Sequence, residues 1–369
     1  MSPYTRLVRP VLFRLDPERA HHLAVEACRW AGRLPLVPQL AERLLTVADP
    51  MLLTRVAGLE LANPLGLAAG WDKSGRALAM LGHLGFGAVE IGSVSADPSA
   101  GNPRPRLFRL PEDRAIVVNY GLPNDGAAVV AERLGSSPVR RVPIGMNIVK
   151  TNRGPGAEDD TPDAIVDDYV RSVELLQGAA DYLMLNLSCP NAPGGVDFFG
   201  EPANIGRLLD ALSALGIRRP VFLKLEPSAD PVFLDRLLEV ADTHSYIAGF
   251  SFNLPIGKPA DLSLKTPPHV WERWPGAVSG SPVAATINRS VAALYRLMPR
   301  GRYTIIAAGG VFTAADAYEK IRLGASLVQI YTALIYEGPG IVPRINRGLG
   351  ELLHRDGFRN IGEAVGTGL

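Results

Sequence analysis

The sequence predicts an α/β fold, a (β/α)8 TIM barrel with a small N-terminal helical extension, and three observations lead there. Eight short apolar runs follow one another: "PLGLAA", "AVEIGSV", "PIGMNI", "YLMLNLS", "VFLKLE", "IAGFSFN", "TIIAAGG" and "LVQIYTA". They are apolar nearly throughout rather than alternating, the pattern of parallel strands buried on both faces. Most are separated by amphipathic helical stretches such as "TPDAIVDDYVRSVELLQGA" and "AADAYEKIRLGA", which gives the βα rhythm of a closed barrel, with an open doubly wound sheet as the alternative.

In chain order, Asp16 reads as the N-cap of a helix over "PERAHHLAVEACRWAG", and a second helix covers "PLVPQLAERLL". Leu23, Ala27 and Trp30, then Leu36, Leu40 and Leu44, recur at helical spacing, so each helix carries one apolar face. Packing on the body of the protein is the ordinary use of such a face; a lipid-facing or ligand-entry surface is the other. A hairpin over "LLTRVAGLELAN" precedes the strands. Long connections at 96–142 and 254–284 are of the length that forms a functional lid or carries small elements of its own. Trp271 and Trp274, in the second, are expected to cover a helix. The organisation expected is a helical extension over 1–48 that associates with membrane and quinone, a barrel over 49–357 and a tail over 358–369.

Composition narrows the function. With 38 basic and 37 acidic residues among 369, the net charge of +1 leaves no electrostatic footprint for nucleic acid. No apolar run reaches 18 residues, and the opening lacks the uninterrupted apolar centre of a secretory signal. Two cysteines, Cys28 and Cys189, are too few for a disulfide framework or a four-thiolate metal site, and no metal is expected.

Polar or glycine residues collect at the ends of the predicted strands: Lys73, Ser93, Asn147, Asn186 with Cys189, Lys224, Asn253, Gly309 with Gly310, and Tyr331 with Thr332. In a barrel those ends share one face, where active sites are built. None of the six histidines stands at such an end, so a histidine base is not expected there. A cysteine after a buried strand is either inert packing or a reactive group; the flanking asparagines of "NLSCPNAPGG" and the nearby Lys73 and Lys224 favour a proton acceptor. Asn119, Asn147, Asn186, Asn191 and Asn253 supply donors and acceptors together, which suits a planar heterocycle of alternating N–H and C=O groups. Gly309-Gly310 is read as opening the seventh helix, and with Tyr331-Thr332 it marks the usual phosphate position of barrels.

Together the segments "NPLGLAAGWDKSG", "GFGAVEIGSV", "GNPRPRLFRL", "NLSCPNAPG", "VFLKLEP" and "GGVFTAADAYEKIRLGASLVQIYTALIYEGP" resemble the dihydroorotate dehydrogenase family over about residues 4–341, and "LFRLDPERAHHLA" resembles its membrane-associated, quinone-using class. The resemblance implies FMN-dependent oxidation of (S)-dihydroorotate to orotate, with electrons passed to a quinone at the cytoplasmic face of a membrane. It implies that FMN is held by Ala69, Gly70, Lys73, Ser93, Asn147, Asn186, Lys224, Gly280, Gly309, Gly310, Tyr331 and Thr332. Substrate is then held by Lys73, Asn119, Gly121, Leu122, Asn186, Asn191 and Asn253, with Cys189 at the position of the catalytic base.

The chain also departs from that pattern. Cysteine as base belongs to the family's soluble class, whereas the quinone class carries serine. The loop "NYGLPND" is one residue shorter than the family form, Phe252 and Leu254 replace threonines, Val149 replaces a glycine and Ser281 a basic residue. These changes cluster around the substrate side. They open two further readings: a relative acting on a different small ring or ene compound, and a non-catalytic binding protein.

Overall fold

The computed structural model describes residues 2–135, 141–158, 160–189, 195–259 and 262–369. Eight strands close into one barrel: Leu65–Leu67, Ala88–Val94, Ile144–Ile148, Tyr182–Asn186, Val221–Leu225, Ile247–Phe252, Thr304–Ala308 and Ala325–Ile330, in that order around the ring. Every neighbouring pair is parallel, and the last pairs with the first through Val328 and Leu65. The eight predicted runs are these eight strands.

Side chains alternate in and out along a strand, so every second residue lines the barrel interior. The lower interior is apolar: Ala88, Tyr182, Met184, Phe222, Ile306 and Leu327 pack together. The predicted hairpin, Thr54–Val56 paired antiparallel with Leu59–Leu61, adds Val56 and Leu61 to that cluster and plugs the bottom. Two residues above Ala88 and Leu327 on the same strands stand Glu90 and Gln329, so the interior turns polar as the open end is approached.

Helix starts follow local chemistry. Asp16, Thr161 and Asp230 each accept a backbone N–H of the first turn with the side chain. Thr313 and Asp316 form a reciprocal capping box, which sets the seventh barrel helix at Ala314–Arg322. Gly309 and Gly310 therefore do not open that helix. They form a turn ahead of it with φ of 102° and 76°, and a Cβ on Gly310 would stand 2.4 Å from Ala284 Cβ.

Both long connections carry strands. Leu107–Leu110, Ala115–Val118 and Ala277–Gly280 form a three-stranded antiparallel sheet over the barrel mouth. Trp271 and Trp274 cover this sheet rather than a helix: they pack with Leu110, Val117 and Val278, and Trp274 stacks on Phe108 at 4.6 Å. The last residues dock too, with Ile361 and Ala364 fully buried.

The extension holds helices at Pro17–Ala31 and Val37–Leu45, but they do not seat by the predicted faces. Contact with the barrel runs through Glu18, Ala20, Ala24, Val25 and Cys28, while Leu23, Trp30, Leu36, Leu40 and Leu44 are 54–76% exposed. Small residues bring the first helix close to the barrel, and the bulky stripe is left facing outward. Ten of the seventeen exposed large hydrophobic residues among those described fall before residue 46. Among the described residues, no helix is long and apolar enough to cross a membrane.

Candidate active site

At the barrel mouth, Ala69, Gly70, Lys224, Asn253, Gly309, Gly310, Tyr331 and Thr332 line one cavity, under Tyr120 and Ser279 of the small sheet and its loops. Ser279 Oγ lies 2.9 Å from Thr332 Oγ1, and Gly280 follows beside that threonine. Ser93, Asn147 and Asn186 join the wall through hydrogen bonds. Asn253 Nδ2 donates to Asn186 Oδ1 at 2.9 Å, Asn186 Nδ2 to Ser93 Oγ at 3.3 Å, and Ser93 Oγ to Asn147 Oδ1 at 2.5 Å. Gln329 belongs to the same wall, and its buried Oε1 is an acceptor without a hydrogen-bond partner.

Lys73 is held from several sides. Its Nζ donates to Gly70 O at 2.7 Å, stands 3.1 Å from His21 Nε2 and lies 4.0 Å from the centre of the Tyr120 ring. Burial brings the ammonium down to about 7, against the opposing pull of the Glu18 and Asp72 carboxylates. Burial, then the Lys73 and His22 charges, hold His21 well below the usual imidazole range, so it stays neutral. Sequence reasoning placed histidines away from the site. His21 reaches it from the extension, which strand-end positions could not reveal.

The loop from Asn119 is fixed by a scaffold invisible in the sequence. Arg106 Nη1 donates to the carbonyls of Ala100 at 2.7 Å and Asn102 at 2.8 Å, and its Nη2 donates to Glu18 Oε1 at 2.7 Å. Burial drives the Glu18 carboxyl up, but the hydrogen bonds and charges of Arg106 and Arg104 outweigh it and hold it low. Asn102 Nδ2 donates to Asn119 Oδ1 at 3.0 Å, and Asn152 Nδ2 to Gly121 O at 2.8 Å. Gly121 has φ of 65°, and a Cβ there would meet Asn102 Oδ1 at 2.3 Å.

Cys189 is buried after the fourth barrel strand, packed with Val149 and Leu122. Two of the departures from the family pattern, Val149 and the loop that carries Leu122, thus pack in the same cluster as the cysteine. Asn191 lies outside the described residues.

Behind His21 and Trp71 opens a second cavity of about 560 Å³, walled chiefly by apolar residues of the extension and the barrel, among them Val8, Phe13, Ala24, Leu107 and Leu334, with Arg109 at its side. Of the exposed apolar stripe of the extension, Leu23 lines this cavity.

The family model for dihydroorotate dehydrogenase matches residues 51–353. Curated relatives named dihydroorotate dehydrogenase (quinone) are similar over nearly the whole chain: that of Acidithiobacillus ferrooxidans is 42% identical, covering 98% of each chain, and that of Roseiflexus sp. is 39% identical, covering 100% of this chain and 99% of the relative. Among solved structures, the Eimeria tenella enzyme described as DHODH in complex with ferulenol superposes with a TM-score of 0.79 at 30% identity, over 95% of both chains. The barrel, the polar wall and these likenesses along its full length make the chain a member of the dihydroorotate dehydrogenase family.

Proposed function

We propose that this protein oxidises (S)-dihydroorotate to orotate on bound FMN and passes the electrons to a quinone. The observation that carries the reading is the pairing of two cavities: a polar one walled by Lys224, Asn253 and the turn at Gly309-Gly310, and an apolar one reaching the N-terminal extension, with His21 and Lys73 between them. The full-length relatives named dihydroorotate dehydrogenase (quinone) support it.

The residues present fit a flavin mononucleotide. Gln329 Oε1 is a buried acceptor with no partner in the wall, and the Gly309-Gly310 turn and the Tyr331-Thr332 backbone offer N–H groups where barrels receive phosphate. FMN, once bound, supplies the acceptor for the hydride that leaves C6 of the substrate. Lys73, Lys224, Ser93, Asn147 and Asn186 hold and orient the ring in this reading, with Ala69, Gly70, Gly280 and Thr332 at its margins. Asn119, Gly121, Leu122, Asn186, Asn191 and Asn253 position dihydroorotate, and the Lys73 ammonium faces its carboxylate. Cys189 removes the proton from C5, completing the loss of two hydrogens that makes the ring double bond. Its packing against Val149 and Leu122 keeps water from competing for that proton.

The extension, residues 1–48, is the part that meets membrane and quinone in this reading. Its exposed Leu36, Leu40 and Leu44 dip into the lipid interface, and the quinone enters the apolar cavity walled by Leu23, Ala24 and Ala27 of the first helix.

Anaerobic stopped-flow mixing of the FMN-loaded protein with dihydroorotate tests the proposal. Bleaching of the oxidised flavin within a turnover, then its return on adding a soluble quinone, is the expected result. Bound FMN that ignores dihydroorotate would overturn it and favour another ring substrate, to which Phe252 and Leu254 in the cavity wall would then be fitted.

A further inference from the structure

Glu90 lies inside the barrel below the polar site, 1% exposed. Three donors converge on it: Asn147 Nδ2 at 2.8 Å on Oε1, and Gln329 Nε2 at 2.8 Å and the Tyr182 hydroxyl at 3.1 Å on Oε2. Gln329 Nε2 also approaches the Tyr182 oxygen at 3.4 Å, so that hydroxyl accepts from Gln329 and turns its own hydrogen to Glu90. Burial, followed by the Glu90 charge, holds the Tyr182 hydroxyl well above its usual range, so it remains a donor. A carboxylate accepts at both oxygens, whereas a side-chain amide can present either end.

That difference has a direction. Once Asn147 gives its NH2 to Glu90, its Oδ1 must face Ser93, and the Ser93 hydroxyl donates to it. The serine oxygen is then left to accept from Asn186 Nδ2, and Asn186 Oδ1 to accept from Asn253 Nδ2. Each donor in the ladder points down toward the carboxylate. On the opposite side Gln329, which also lines the cavity, turns its NH2 to Glu90 and leaves its buried Oε1 without a partner.

We propose that Glu90 is a positioning residue: its buried carboxylate fixes which way round the amides of Asn147 and Gln329 stand, and with Asn147 the direction of the bond from Ser93, while Asn253 at the far end is set by its own bonds to Ser188 O and Leu254 N. The inference rests on the FMN and dihydroorotate reading above. Without an acceptor-only group at the base, the two amides nearest it have two orientations each, and a ring with alternating N–H and C=O groups is recognised by only one of them.

Glu90→Gln keeps the shape and removes the acceptor-only character, because one of its two arms is now an NH2. Either Asn147 or Gln329 must then turn round. The expected result is FMN binding to the apoprotein weakened at least fivefold by fluorescence titration, and orotate binding to the FMN-loaded protein weakened at least tenfold. Tyr182→Phe removes a donor to Glu90 but leaves the direction of the ladder intact, and should keep both affinities within twofold of wild type. A purely structural role predicts that neither variant changes ligand binding, or that both change it alike, and either result overturns the inference. Should Glu90→Gln fail to fold, neutron diffraction of the wild-type protein reads the same feature: deuterons on Asn147 and on Gln329 toward Glu90 support the inference, and the reverse placement of either refutes it. A wild type that takes up neither FMN nor orotate would instead refute the functional reading.

Discussion

The ammonium of Lys73 stands 3.1 Å from His21 Nε2, which joins the first barrel strand's loop to a helix fifty residues earlier in the chain. The neutral imidazole accepts the contact, Gly70 O takes a second hydrogen and the Tyr120 ring faces the charge.

Anion binding should follow the charge on Lys73. With the free group brought down to about 7 by burial, it is protonated below that pH and neutral above it. An anionic ligand favours the charged form and raises its pKa on binding, so the ligand complex holds a proton that the free protein has lost above pH 7. Orotate affinity, measured by calorimetry from pH 6 to 9, should be flat below 7 and fall by up to about tenfold per unit above it. Lys73→Met should abolish this dependence.

Removal of the buried partner of Arg106 should be costly. Glu18→Gln leaves an arginine 5% exposed without its counter-charge, and loss of one member of a buried pair costs about 3–5 kcal/mol. Urea unfolding should show that loss, and limited proteolysis should find new cleavage in residues 119–125, which hang from Arg106 and Asn102.

Cys189→Ala should still bind FMN and orotate but reduce flavin with dihydroorotate about 10²–10⁴-fold more slowly, the range a positioned base contributes. Cys189→Ser should recover part of the rate. Anaerobic stopped-flow absorbance separates the two, and an alanine variant as fast as wild type would remove the cysteine from the chemistry.

Replacement of Leu36, Leu40 and Leu44 by glutamate should leave flavin reduction and soluble-quinone turnover unchanged, because all three point away from the barrel. Each buried leucine is worth about 1.5–3 kcal/mol, so co-sedimentation with lipid vesicles should fall by at least about 100-fold. Equal sedimentation would show that the stripe does not meet lipid.

The barrel was legible because a parallel strand buried on both faces writes itself as an unbroken apolar run, and the polar exits of those runs mark the mouth. Lys224, Asn253 and Gly309 were found that way and do line one cavity. His21, Glu18 and Arg106 were not, since their roles come from contacts across about 50 to 90 residues that no local pattern encodes. Glu90 left a signal: a lone carboxylate in the apolar run "AVEIGSV", two residues beyond Ala88 and therefore facing inward with it. The outward stripe of the extension was visible as a periodicity, but which face a helix turns to the barrel depends on where its small residues fall.

The Glu18–Arg106 pair also bears on modularity. A helical extension that reads as a detachable anchor in fact lends one side chain to the scaffold under the loop at Asn119 and another, His21, to the flank of Lys73. Trimming the chain at residue 48 would therefore strip an arginine of its counter-ion and unmoor the loop at Asn119. Changing the outer stripe of the helices while keeping the helices themselves alters the surface they present and leaves both contacts in place.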